Sequence, residues 1–418
     1  MASSTPFKAW LIWSLSALFY FYEFALQSSP SVMVPELMYD FHVDGTQLGN
    51  LSAFYFYAYA AMQIPVGLLL DRFGPRLLLT IACFTCAVGA FGFSQTHSLG
   101  YAELARFLMG LGSSFAVVSS LKLASLWFPT QRFALLTGLM VTFGMLGAIG
   151  GQTVLAPLID SLGWRHSMLL LSVIGIVLAC LICALVRNGV KFNDHQSNNK
   201  PGIYWHGLKK ILLSKQAWLM AIYGGLMFAP TVAFGELWGV PYLISLFGVT
   251  RHVAAEVLSL IFVGWAIGSP VFGILSGYFN TRLPFMWLAP LGCMVCMSWI
   301  LFIDHHSIVN VAILLFFFGF FSSAFLAVFS FMKEASPEQS TGTAMGFLNT
   351  LNELGPALLQ PLFGWLLDRS WSGAMVDGIR SYSSLSYHQS SLALLAVLGM
   401  AVLCLVFIRS PSLKSHLS

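Results

Sequence analysis

Charge is scarce in this sequence. Lysine and arginine number 20 and aspartate and glutamate 16, together 9% of 418 residues. A soluble domain carries roughly 25% charged residues, so an ordinary water-facing surface is excluded. Long polar stretches are equally rare; one, Arg187 to Lys210, interrupts the apolar runs. No glycine-rich phosphate loop, zinc-binding spacing or nucleophile elbow stands out. An enzyme, direct ATP coupling, a metal and a cofactor are therefore not expected, and no residue is assigned a catalytic role. Of seven cysteines, six form C-x-x-C pairs at Cys83/Cys86, Cys180/Cys183 and Cys293/Cys296. Each pair lies in an apolar run with no histidine or acid beside it, which favours packing over metal or redox chemistry. The opening MASSTPFKAW lacks a charged n-region and a cleavage site, so the first apolar run is expected to remain as a helix.

What the sequence does contain is apolar: 57% hydrophobic residues and a mean hydropathy of +0.79. Twelve apolar segments are read at 9–29, 47–70, 76–95, 100–125, 133–158, 166–187, 217–240, 253–278, 284–303, 308–332, 341–367 and 389–409. Most reach the ~20 residues that cross a bilayer as helix. An even count puts both termini on one side. Only Arg165, Arg251, Arg369 and Arg380 then fall outside, and Arg106 and Lys122 fall within the fourth helix. The other 14 of the 20 lysines and arginines face the side of the termini, which is cytoplasmic by the positive-inside rule.

The polar stretch divides the chain into residues 1–187, a linker at 188–215, and residues 216–418. Part of the linker, Ile203 to Leu213, reads either as a basic surface helix or as a solvated tether. The two halves resemble each other. GMLGAIGGQTVLAPLID, Gly144 to Asp160, aligns without gaps to NELGPALLQPLFGWLLD, Asn352 to Asp368, pairing Gly147 with Gly355, Gln152 with Gln360 and Asp160 with Asp368. Parallel repeats of this kind place a transporter's site between the halves.

Between the second and third segments lies GLLLDRFGPR, Gly67 to Arg76. It resembles the loop signature of the major facilitator superfamily: Gly67, Asp71, Arg72, Gly74 and Arg76 match, and Pro75 departs from the pattern. RFLMG, Arg106 to Gly110, and the glycine-rich fifth segment are similar to further motifs of that superfamily. The resemblance implies an all-α membrane protein with twelve transmembrane helices in two six-helix bundles related by pseudo-twofold symmetry, and cytoplasmic termini. It implies that helices one, four, seven and ten line a central cavity, with two, five, eight and eleven between the halves. It also implies a gate in which Asp71 latches onto the eleventh helix near Ser340. The second half holds a decayed copy, GILSGYFNTR, which keeps Arg282 but puts Gly277 in place of the acid. One strong latch is expected, not two.

Charged and polar residues inside apolar segments are costly and mark function. Tyr20, Glu23 and Gln27 share one face of the first helix at helical spacing, and Tyr55, Tyr59 and Gln63 share one face of the second. Asn349, Asn352 and Glu353 cluster on the eleventh. Glu23 and Arg106 fall at similar depth and are within reach of each other. Three readings of Glu23 compete: a fixed ion pair with Arg106, a proton carrier, or a contact for a cationic group of the substrate. Arg106 suits a substrate carboxylate or a structural role. Glu353 with Asn352 reads as a second proton or substrate site, or as an interhelical polar cluster. Tyr20, Gln27, Tyr55, Tyr59, Gln63 and Asn349 are candidate substrate contacts. Glu236 ranks lower because it falls near the end of its segment.

The leading expectation is a monomeric, proton-coupled importer of an amino acid, short peptide or organic acid in a bacterial cytoplasmic membrane, in contact with lipid and with no nucleic acid partner. A proton-driven exporter of a drug or siderophore and a non-transporting membrane sensor are the alternatives.

Overall fold

The computed structural model describes residues 6–188, 209–303, 307–336 and 341–409. Nearly all of it is helix: the protein is an all-α membrane protein. The first helix, α1, runs Pro6–Ser28, followed by α2 Val34–Phe41, α3 Gly45–Phe73, α4 Pro75–Gln95, α5 Leu99–Ser113, α6 Ala116–Trp127, α7 Phe133–Ile149 and α8 Leu155–Leu185. After the linker come α9 Lys215–Ala233, α10 Gly239–Phe247, α11 Arg251–Tyr278, α12 Leu283–Phe302, α13 Ile308–Ser323, α14 Ala327–Ala335, α15 Thr341–Arg369 and α16 Ser384–Phe407. A two-residue hairpin, β1 Met375–Val376 and β2 Ile379–Arg380, precedes α16.

Ten helical stretches are long and apolar enough to cross a membrane. One of them, Leu135–Leu185, is 51 residues long and is broken at Gly163, where φ is 79°. α15 adds 29 residues, about 43 Å of helix at 1.5 Å per residue. The expected segments match these elements to within a few residues at most ends. The seventh is longer than expected, because a π-helical turn at Phe234–Trp238 carries α9 into α10. α2 was not expected at all.

Local chemistry sets the breaks. Asp44 caps α3 in a capping box: its carboxylate accepts the Gln47 N–H at 2.9 Å, and its own N–H donates to Gln47 Oε1 at 3.2 Å. Gly74, at φ 79°, ends α3 in a conformation that suits glycine, and Pro75 starts α4 where its missing N–H costs nothing. Ser214, Thr250, Ser307 and Ser383 cap α9, α11, α13 and α16. Four of the six paired cysteines, Cys83, Cys86, Cys293 and Cys296, are free and buried, while Cys180 and Cys183 are exposed.

Helices before the linker pack mainly on each other, and so do those after it. Across the two groups, α3 lies along α15 and α7 along α11. The α3–α15 seam is very close: a methyl added at Gly49 would come within 2.5 Å of the Gln360 carbonyl oxygen, and one added at Gly364 within 2.0 Å of the Gly45 oxygen. Small residues allow such contact between membrane helices. Most of the expected surface helix at Ile203 to Leu213 lies outside the described residues; residues 209–212 are helical.

Candidate functional site

A cavity of about 1190 Å³ lies between the two groups of helices. α1 and α3 contribute Tyr20, Gln27, Tyr59 and Gln63, and α15 contributes Asn349, Asn352 and Glu353. Seven of the ten polar residues expected to contact substrate or proton therefore share one wall-lined space. Two of them meet across the groups: Asn349 Nδ2 donates to Gln63 Oε1 at 2.8 Å. Asn352 is buried with no donor to its Oδ1, and Glu353, also buried, accepts no hydrogen bond from any described residue.

The remaining three form a layer behind that wall. Tyr55 donates its hydroxyl to Glu23 Oε2 at 2.6 Å, and its ring stacks on Tyr59 with centroids 6.1 Å apart. Glu23 Oε1 has no partner. The Arg106 guanidinium lies over the Tyr55 ring, 5.0 Å from its centroid, a cation–π arrangement.

The structure departs here from one of the three readings of Glu23, the fixed ion pair with Arg106. Among the described residues no salt bridge joins Arg106 to Glu23. Arg106 Nη1 donates instead to the Leu26 carbonyl at 2.9 Å. The physical reason is the end of α1: its last carbonyls have no partner within the helix and carry the negative end of its dipole. That acceptor takes the cation, and Tyr55 takes the acid.

Glu236, ranked low from the sequence, is central. It sits in the π-helical turn after α9, fully buried, lines the cavity, and accepts from Gln27 Nε2 at 2.9 Å. The signal was available, since FGELW places an acid in an apolar run as YEF does. Trp265 was missed; it lines the cavity from α11, with its indole N–H unpaired.

Near Glu236 the two groups are tied together. Gln152 Nε2 donates to the Gly235 carbonyl at 2.5 Å, beside the Gln27–Glu236 bond; within the second group, Trp238 Nε1 donates to the Gln360 carbonyl at 3.1 Å. Further out, Asp368 at the end of α15 accepts from the Gly45 N–H (3.1 Å), the Thr46 N–H (2.7 Å) and the Thr46 hydroxyl (2.6 Å). Tyr382 and Arg380 also donate to Asp368, at 2.5 and 2.9 Å. Burial, together with the bond to Asp368, pushes the Tyr382 phenol well above its ordinary range, so it stays a donor. Arg251 at the start of α11 pairs with Glu36 and, at 3.5 Å, with Asp160. The repeat match of Asp160 with Asp368 thus has a structural counterpart: each acid ends a helix of one group and meets the first turn of a helix of the other.

The opposite end of the cavity reaches Gly67, Leu68, Arg72 and Gly342. The expected gate residues lie around this end. Arg76 donates to the Cys183 carbonyl at 2.8 Å, within its own group. Arg282 pairs with Glu334 at 3.1 Å, also within its own group. The backbone of Asp71 is helical, but its side chain and Ser340 lie outside the described residues, so the expected latch does too.

The comparisons place this architecture. The family model "Major Facilitator Superfamily" matches residues 14–359. The Bacillus subtilis (strain 168) protein "Uncharacterized transporter YybO" is 27% identical over 281 residues, 60% of this chain and 63% of that one, less than two thirds of its length. "Probable galactarate/D-glucarate transporter GarP" of Escherichia coli (strain K12) is 22% identical over 84% of this chain and 87% of its own. "Lysosomal dipeptide transporter MFSD1" of Homo sapiens is 24% identical over 81% and 76%. Among solved structures, a bacterial homologue of the human lysosomal transporter Spinster, inward-facing and unoccupied, superposes with a TM-score of 0.79 at 15% identity, covering 97% of this chain and 98% of that one. With a family match over most of its length and the same helical architecture, this chain belongs to the Major Facilitator Superfamily and is a multi-pass membrane transporter.

Proposed function

We propose that the protein is a secondary active transporter that couples proton entry to import of a small zwitterionic or carboxylate-bearing solute by alternating access. In this reading the chain crosses a bacterial cytoplasmic membrane twelve times, in two six-helix bundles joined by the 188–215 linker, with cytoplasmic termini. The cavity end tied by Asp368 is then the outer end, and the end at Gly67 and Arg72 faces the cytoplasm. The conformation is inward-facing.

The observation that carries this reading is the arrangement of buried acids. Glu23 lies behind the cavity wall, bonded to Tyr55 on one oxygen and unpaired on the other. An unpaired carboxylate in a membrane interior is costly, and taking up a proton removes that cost. A cavity closed at one end by hydrogen bonds between the two bundles supplies the alternation. The dipeptide named for one relative fits the solute class, as does the sugar diacid named for another.

Purified protein in proteoliposomes tests it. Addition of pooled amino acids, dipeptides or small carboxylates is expected to acidify the lumen in parent protein and not in Glu23→Gln. Solute entry without proton entry removes the coupling, and solute efflux driven by an opposing gradient favours the exporter.

A further inference from the structure

The cavity wall carries acids, not bases. Of the described residues that line it, one is a lysine or arginine, Arg72 at the far end; Arg106 lies behind Tyr55. Glu353 lines the cavity, and among the described residues no donor bonds its carboxylate, which is open to that space. Trp265, 8% exposed, leaves its indole N–H without an acceptor. Buried polar atoms are nearly always partnered, so the Trp265 N–H asks for an acceptor, while the Glu353 carboxylate presents a charge to the same cavity for a molecule that supplies a donor.

The surroundings define that molecule. Gly355 packs on Gly225, and Asn352 on Gly224, so Glu353 sits at the α9–α15 contact, and Phe228 of α9 lines the same cavity. Phe228 is 6.1 Å from Phe325, and Phe325 is 6.4 Å from Trp265, ring centroid to ring centroid. Phe228, Phe325 and Trp265 thus form a run of aromatic rings in the cavity that Glu353 also lines. An aromatic face attracts a cation, and a carboxylate pairs with an ammonium by a charge-assisted hydrogen bond. A dianion would meet Glu353, and Glu236 whose charge Arg106 partly offsets, at a cost in like-charge repulsion.

We infer that this cavity holds a site for a solute with a protonated amine attached to an apolar or aromatic body: the ammonium on Glu353, the body against Phe228, Phe325 and Trp265, and an acceptor on the Trp265 indole N–H. The site rests on the transport reading above and narrows its solute class. It separates this chain from a carrier of sugar diacids.

Binding to the purified protein, read by calorimetry, tests the site without a membrane or gradient. Three probes share one body: L-phenylalaninamide, a cation; N-acetyl-L-phenylalanine, an anion; and N-acetyl-L-phenylalaninamide, neutral. The cation is expected to bind about tenfold or more tighter than the other two, equivalent to ~1.4 kcal/mol. Glu353→Gln is expected to abolish that preference while leaving the neutral probe unchanged, and Trp265→Phe to weaken all three. Equal or tighter binding of the anion, no binding of the cation, or a preference that survives Glu353→Gln overturns the site. Should the preference hold while proteoliposomes show no coupled flux, the transport reading fails and the site stands.

Discussion

Asp368 caps a helix that belongs to the other bundle. Its Oδ2 accepts both the backbone N–H and the hydroxyl of Thr46, in the first turn of α3, at 2.7 and 2.6 Å. The N-terminus of a helix offers unpaired N–H groups and the positive end of a dipole. An acid fixed there at the far end of α15 ties the two bundles together on one side of the cavity. Asp368→Asn keeps the shape and loses the charge. The cavity end that Asp368 ties, the outer end in the proposed topology, is expected to weaken by ~1–2 kcal/mol, the scale of a favourable, partly buried charge–dipole contact. A reporter cysteine at Thr231, on the cavity wall, should then react faster with an impermeant reagent added outside. Equal rates in variant and parent would show that Asp368 does not hold this end.

The glycine seam gives a second prediction. A side chain at Gly364 has no room against Gly45, nor one at Gly49 against Gln360. Gly364→Ala should lower the melting temperature of the purified protein, with overpacking costing ~1–3 kcal/mol, and should slow transport. Gly67→Ala meets nothing within 4 Å in this conformation. In the proposed gate, Gly67 would make its close contact only in the opposite, cytoplasmically closed state, so the variant is expected to keep the melting temperature and slow transport. If Gly67→Ala transports at the parent rate, Gly67 has no part in the gate.

Much of this was legible in the sequence for a physical reason. Hydrophobic length fixes the position of a membrane helix strongly, so the apolar runs fell within a few residues of the elements. Helical spacing grouped Tyr20, Glu23 and Gln27 on one face and Tyr55, Tyr59 and Gln63 on another; four of these six line the cavity, and Glu23 and Tyr55 lie behind them. Depth, in contrast, could not say who pairs with whom. Glu23 and Arg106 lie close in level, but their partners are the Tyr55 hydroxyl and a backbone carbonyl of Leu26. Backbone acceptors have no letter in the sequence, and a helix end becomes an acceptor only once the helix is known to end there. Glu236 was underrated for another reason: its segment was ended at 240, whereas the helix continues through GVPYLISLF to Phe247, which puts Glu236 well inside it. Asp160 and Asp368 matched as repeats, but their partners, Arg251 and Thr46, lie on the other bundle.

The meeting of Gln63 and Asn349 supports a third prediction. Their 2.8 Å bond joins α3 to α15 deeper than the Asp368 cap. A double-mutant cycle with Gln63→Ala and Asn349→Ala, read as thermal stability in detergent, should show a coupling of ~0.5–1.5 kcal/mol. Simple additivity would mean that the two side chains act separately in the protein.

Tyr55 offers the sharpest test of the buried acid. Tyr55→Phe removes the hydrogen bond that Glu23 Oε2 accepts while keeping the ring that carries Arg106 and stacks on Tyr59. Loss of a donor to an ionised carboxylate favours its protonated form. A carrier that must release its proton to complete the cycle would then hold it too long. The pH at which uptake is half-maximal should move upward by about one unit, the equivalent of ~1.4 kcal/mol, and turnover at high inside proton concentration should fall. Glu23→Gln, which holds a fixed neutral group, should abolish accumulation driven by a pH gradient and leave counterflow in place. If Tyr55→Phe leaves the pH profile of uptake where it stands while Glu23→Gln still stops accumulation, Glu23 carries the proton without tuning by Tyr55. If both variants accumulate solute as the parent does, the proton travels through another group.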